Sequence, residues 1–235
     1  MKKCFMCVVT GVAIWYSTGT LQAQIVAYSF ETDLPAGPDG FFGLGATVTQ
    51  EPTIGVTDLN FSMKYEVGVG GFVGARTETV IPPELNDPPG VSYILFDMTL
   101  TSVYGGTFAD IGVSVFGHAL NAVGGPQFGL QVQFADTESI AALGIGTHRD
   151  LRIDLDQSVG SYRPGESFNA IFGPNPNDLT VASAFQFFIA KNAADPVTVY
   201  IDNVRLVVPE PGSMSLLGIG AATGVLAFRR RRCVV

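Results

Sequence analysis

Between Gln24 and Val208 the chain contains no cysteine and no tryptophan. Its three cysteines, Cys4, Cys7 and Cys233, and its single tryptophan, Trp15, all lie in the terminal segments. The central region therefore lacks a disulfide, a thiolate zinc site and a cysteine nucleophile, and its stability must come from its core. Basic residues are scarce too. Six of the 13 lie at the ends (Lys2, Lys3 and Arg229 to Arg232), leaving seven in the centre against 20 of the 21 acids, a net charge of about −13. A surface of that sign repels phosphate backbones, which excludes nucleic acid as a partner. The central region also lacks long stretches of helical periodicity. About 185 residues of this composition suit one domain with a substantial core.

The N-terminal segment has the order of an exported leader. Lys2 and Lys3 precede an apolar stretch from Cys4 to Tyr16, too short to cross about 30 Å of hydrocarbon, and Leu21-Gln22-Ala23 supplies a small residue for cleavage. Residues 1–23 are expected to be a signal peptide cut by signal peptidase between Ala23 and Gln24. The mature body is then expected to span 24–208.

The C-terminal segment 209–235 has a different logic. Pro209 and Pro211 can neither continue a central ladder nor sit inside a helix, so they end the folded body. Met214 to Phe228 would make about 22 Å of apolar helix, a marginal span, and the positive-inside rule keeps the cluster Arg229, Arg230, Arg231 and Arg232 cytoplasmic, with the body outside. Val208, Pro209, Glu210 and Pro211, then Leu216, Leu217 and Gly218, then the arginines, resemble the PEP-CTERM sorting signal of bacteria. That resemblance implies recognition and cutting near Pro-Glu-Pro by an exosortase, a membrane transpeptidase-like protease, after transient or stable contact with the inner membrane. The alternative is a tail anchor that is never cut.

Glycines and prolines punctuate short runs rich in Val, Ile, Phe, Tyr and Thr, the texture of an all-β domain. Strands are expected at 25–30, 44–50, 61–67, 72–80, 92–101, 111–118, 128–134, 151–156, 184–192 and 198–207, with one short helix around 167–172. Ten strands in one domain are best held as two packed sheets, a β-sandwich. In 92–101, Ile94, Phe96, Met98 and Leu100 share the face that should meet the core. In the last strand Val199 and Ile201 have one parity and Val204 and Leu206 the other. A bulge near Asp202 and Asn203 would bring both pairs inward.

The closing Tyr200-Ile201-Asp202-Asn203-Val204-Arg205-Leu206 and the opening Tyr28-Ser29-Phe30-Glu31 resemble the last and first strands of the galactose-binding-like jelly rolls common among carbohydrate-binding modules. The resemblance implies that the first and last strands are neighbours and that a structural calcium sits near them, held by Glu31, Asp202 and Asp33. Ordinary hydrogen-bonded acids are the alternative, since no compact Asp-x-Asp-x-Asp loop is present.

Chemistry is sparse. Neither His118 nor His148 has a neighbouring His or Cys, or a nucleophile motif beside it. Asp150, Arg152, Asp154 and Asp156 read as a solvated strand face of alternating charge rather than an acid/base pair. The expected function is a non-enzymatic surface or matrix protein associated with exopolysaccharide, as the PEP-CTERM resemblance implies. The alternatives are a carbohydrate-binding module and, third, a glycoside-active enzyme.

Overall fold

The computed structural model describes residues 22–86, 90–119, 127–134, 136–159, 164–172, 180–192 and 194–209. Residues 1–21 of the expected leader, the apolar segment 214–228 and the residues Glu210, Pro211, Arg229, Arg230, Arg231 and Arg232 lie outside them. Among the described residues no helix is long and apolar enough to cross a membrane.

The strands are β1 (Gln22–Tyr28), β2 (Asp33–Leu34), β3 (Gly37–Pro38), β4 (Phe41–Leu44), β5 (Thr47–Glu51), β6 (Ser62–Val67), β7 (Phe72–Thr77) and β8 (Tyr93–Leu100). They continue as β9 (Ala109–Ala119), β10 (Gln127–Phe134), β11 (Glu138–Ser139), β12 (Gly146–Asp154), β13 (Ser158–Val159), β14 (Thr180–Lys191) and β15 (Val197–Pro209), joined among the described residues by a short α-helix, α1 (Phe168–Phe172). Among the described residues all pairings are antiparallel. One sheet runs β12-β8-β15-β6-β5, with β1 also on β15; the other runs β13-β10-β9-β14-β7-β4, with β11 on β9. Strand alternation supplies the reason they stack. Ile94, Phe96, Met98 and Leu100 of β8 are buried together with Ile111, Val113 and Val115 of β9 and Phe185, Phe187 and Ile189 of β14. Phe96 meets Phe187 across the gap with ring centroids 5.5 Å apart. The fold is an antiparallel two-sheet β-sandwich, as the strand texture predicts.

Two local expectations resolve differently. The run 44–50 is not one strand: β4 pairs with β7 in the second sheet and β5 with β6 in the first. Gly45, at φ +76°, turns the chain from one layer to the other. The closing strand behaves as its parity required. Its register on β8 slips between Asp202 and Arg205, Asn203 takes φ +50°, and Val199, Ile201, Val204 and Leu206 are all fully buried.

The same slip marks a change of partner. β6 pairs with Val197–Ile201, while β1 pairs with the stretch from Val204 to Pro209, along the same edge of β15. First and last strands are thus neighbours, as the resemblance implied.

Candidate functional site

Glu31 and Asp202 both act at this change of partner. Glu31 follows β1, and its carboxylate accepts the backbone N–H groups of Asn60 (2.7 Å) and Phe61 (2.9 Å) and the Asn60 side-chain amide (3.2 Å). Slight desolvation raises its pKa, but those donors outweigh it and hold the carboxyl below its ordinary value. Asp202, fully buried, accepts the N–H groups of Thr57 (2.6 Å) and Asp58 (2.8 Å), the Thr57 hydroxyl (3.1 Å) and the N–H of Asn203 (2.7 Å). Here burial dominates and pushes the pKa up, partly offset by the same donors.

The calcium set implied by the resemblance does not fit this arrangement. The carboxylate oxygens a cation would need are turned on backbone N–H groups of one loop, 57–61, which they tie to the joint between β1, β15 and β6. Asp33 lies in the small β2–β3 ribbon, opposite Pro38, and is exposed. Among the described residues no group of three His, Cys, Asp or Glu side chains is placed to hold a metal ion. Asp39, missed by sequence reasoning, does the comparable work at the exit of β1. It accepts the N–H groups of Ser29, Phe30 and Thr32 and steadies Phe30 at φ +60°.

The expected charged face of 150–156 is broken by a bulge. The register of β12 on β8 shifts between His148 and Leu151, and Asp150 sits at φ +56°. Its carboxylate pairs with Arg205 at 2.5 Å, while Arg152 pairs with Asp154 and lies 4.0 Å over the Tyr93 ring. β12 ends at Asp154. Asp136, Asp154, Asp156 and Gln157 line a shallow depression beyond it, and Asp136 accepts the Asp154 N–H. His148 contacts the Gly144 carbonyl through its ring nitrogen (2.8 Å).

Strand register shows a feature that the sequence alone did not. On the face of the second sheet turned away from the core, Phe42, Arg76, Gln186, Ser114 and Gln133 are successive cross-strand partners and form one row. Phe116, paired with Gln131 and Ala184, lies on one side of that row; Phe188, between Gly74 and Gly112, lies on the other. The two glycines make space. A Cβ at Gly74 would stand 2.6 Å from the Gln186 side chain, and one at Gly112 would stand 2.5 Å from the Phe188 ring. Phe72, half exposed, stacks on Phe188 at 5.0 Å, and the Arg76 guanidinium lies 3.9 Å above the Phe116 ring.

Hydrogen bonding in this row is incomplete. Arg76 spends one nitrogen on Glu78 (2.8 Å), yet among the described residues its buried Nε finds no partner, and neither does the buried Oε1 of Gln186. Buried polar groups are almost always satisfied, and leaving one unpaired costs about 1–3 kcal/mol. Ser114, Gln186, Phe188 and Phe116 are themselves buried and Phe72 is half exposed, so a polyhydroxylated ligand would meet this face first at the Phe72 ring, its C–H face on the aromatic and its hydroxyls taking directed hydrogen bonds.

At one end of the sandwich the termini of the body meet. Gln22 pairs with Pro209, Ala23 with Val208 and Gln24 with Val207. The expected leader cleavage point, Ala23–Gln24, thus lies inside β1, directly across from the start of the expected sorting motif.

Residues 207–232 match the family model of the PEP-CTERM protein-sorting motif, so the chain carries that motif at its C-terminus. The search of curated proteins finds no match. Among solved structures, the body is similar to the family 11 carbohydrate-binding module of a cellulosomal cellulase of Clostridium thermocellum. Identity there is 14%, covering 78% of this chain and 94% of that one, with a TM-score of 0.46. It is also similar to a xylan-binding domain from Paenibacillus barcinonensis, at 16% identity over 80% of this chain and 94% of that one, with a TM-score of 0.39.

Proposed function

We propose that this is an exported cell-surface or matrix protein, delivered by exosortase through its PEP-CTERM motif, whose non-catalytic sandwich associates with extracellular polysaccharide. The sorting half of the reading rests on the match of residues 207–232 and on the acidic, cysteine-free body that precedes them. The binding half rests on one observation: the Arg76 Nε and Gln186 Oε1, without a partner among the described residues, set among Phe72, Phe116 and Phe188 on the outer face of the second sheet.

The chemistry favours a neutral glycan. The body carries about −13 charge, so an anionic polymer would be repelled at long range, whereas a neutral chain is indifferent to that field. Catalysis would need a carboxyl pair flanking a bound ring. Asp136 and Asp154, which line the depression beyond β12, are engaged with a backbone N–H and with Arg152.

Affinity electrophoresis of the processed protein through gels containing neutral and anionic polysaccharides tests the binding half. Retardation by a neutral glycan is expected, and Gln186→Leu and Arg76→Met should each remove most of it. Free migration in every gel, or retardation unaffected by both substitutions, would sink the assignment of this face. Intact mass of the native protein tests the sorting half: loss of the residues after the motif is expected, and a mass that retains Arg229 to Arg232 in membranes alone would refute it.

A further inference from the structure

The pairing of β1 with the end of β15 places two processing sites on one ladder, and the direction of their hydrogen bonds has a consequence. Val207 gives its carbonyl to the N–H of Ser92 on the β8 side, at 2.8 Å. In an extended strand successive residues turn their N–H and C=O groups to opposite edges, so those of Val208 face β1. The residue across from Val208 there is Ala23. Val207 is fully buried and Val208 nearly so, which leaves little of this stretch for another protein to grasp.

We infer that the β1–β15 ladder orders the two cuts: while residues up to Ala23 remain attached, they clamp the backbone of Val208, and removal of the leader releases that stretch to the C-terminal protease. The inference rests on the reading that both ends are processed. Proteases commonly take substrate as an extended strand whose main-chain groups pair with the enzyme, and a strand already paired on that edge is unavailable. Cleavage between Ala23 and Gln24 removes the two rungs Gln22↔Pro209 and Ala23↔Val208 and leaves the remainder of β1, from Gln24 onward, in place. The body stays folded while the edge of Val208 is exposed. The partner is therefore a protease that reads the backbone of Val208 and Pro209 in extended form, and its substrate is created by the first cut.

Two substitutions at one position separate the clamp from simple tethering. Leu and Pro at residue 23 both remove the small residue that signal peptidase requires, so both keep the leader attached. Ala23→Leu retains the backbone N–H that faces Val208, whereas Ala23→Pro deletes it and removes one ladder hydrogen bond near the start of β1, a strand that among the described residues pairs with β15 alone. The full-length chain and both variants are expressed in the native host, and intact masses report each end. The wild-type protein should lose both ends. Ala23→Leu should keep its tail, with the tail-cut fraction down at least fivefold, and Ala23→Pro should regain tail cutting with its leader still attached. Tail cutting in Ala23→Leu equal to wild type, or its absence from both variants, would overturn the clamp. A wild-type mass that still contains Arg229 to Arg232 would instead refute the processing reading on which it stands, and the clamp with it.

Discussion

Asp97 of β8 and Asp202 of β15 are direct cross-strand partners, and neither side chain is more than 1% exposed. Two buried carboxylates side by side would repel, and the structure gives them different company. Asp97 accepts the N–H of Asp150 (2.9 Å) and the side-chain amide of Asn203 (3.2 Å) and lies 3.6 Å from Arg205. Among the described residues, the donors to Asp202 are all neutral. The bulges at Asp150 and Asn203 on the flanking strands bring those groups within reach of Asp97.

Removing the one cation of this cluster should be costly. Arg205→Leu leaves Asp97 without its countercharge, and truncating one partner of a buried pair costs roughly 3 kcal/mol. Urea unfolding should show a lower midpoint with an unchanged slope; a shift below a few tenths of a kcal/mol would mean that the neutral donors suffice.

Asp202→Ala should free the loop 57–61 before it unfolds the domain. Its Thr57 and Asp58 N–H groups lose their acceptor, a loss of about 2 kcal/mol from the unpaired donors. Faster amide exchange at these two residues, with β14 amides protected as before, is the expected pattern.

The acids at the strand joint should give stability profiles of opposite slope. Glu31 has a lowered folded pKa, so its contribution is present above the unfolded value and vanishes as pH falls through the folded one. Asp202 has a raised folded pKa, so the folded state holds its proton more tightly and stability declines as pH rises past the ordinary carboxylate value. The wild-type advantage over Glu31→Gln should therefore shrink on acidification, while its advantage over Asp202→Asn should grow. Thermal unfolding between pH 3 and pH 7, about the range in which carboxylates titrate, checks both; parallel slopes would contradict the hydrogen-bond assignment.

Phe187→Ala should weaken the contact between sheets. The ring packs on Phe96, Phe185 and Phe41, and truncation of a buried aromatic costs about 3–5 kcal/mol. Phe72→Ala, on the opposite face of the sheet and half exposed, should change stability little while weakening glycan retardation.

Much of the architecture was legible because it is written locally. Period-two alternation in 92–101 assigns Ile94, Phe96, Met98 and Leu100 to the core without reference to any partner. The parity clash between Val199–Ile201 and Val204–Leu206 demands a bulge at Asp202–Asn203. The short helix around 167–172 was legible as well and forms as α1. The split at Gly45 was less so, since a short run containing Leu, Val and Thr reads as one strand whether or not a glycine turns it between layers.

The sequence by itself determined the strand faces, the closing bulge, the acidic cysteine-free body and the sorting motif, because composition, parity and short motifs are properties of neighbouring residues. Only the tertiary structure decided which acids meet which donors. Asp202 and Thr57 are 145 residues apart, and local chemistry could not tell a calcium ligand from an anchor for backbone N–H groups. It also decided that Phe42, Arg76, Gln186, Ser114 and Gln133 share a row, and that Ala23 faces Val208. Both follow from cross-strand register, a long-range choice made by the packing of the whole sandwich.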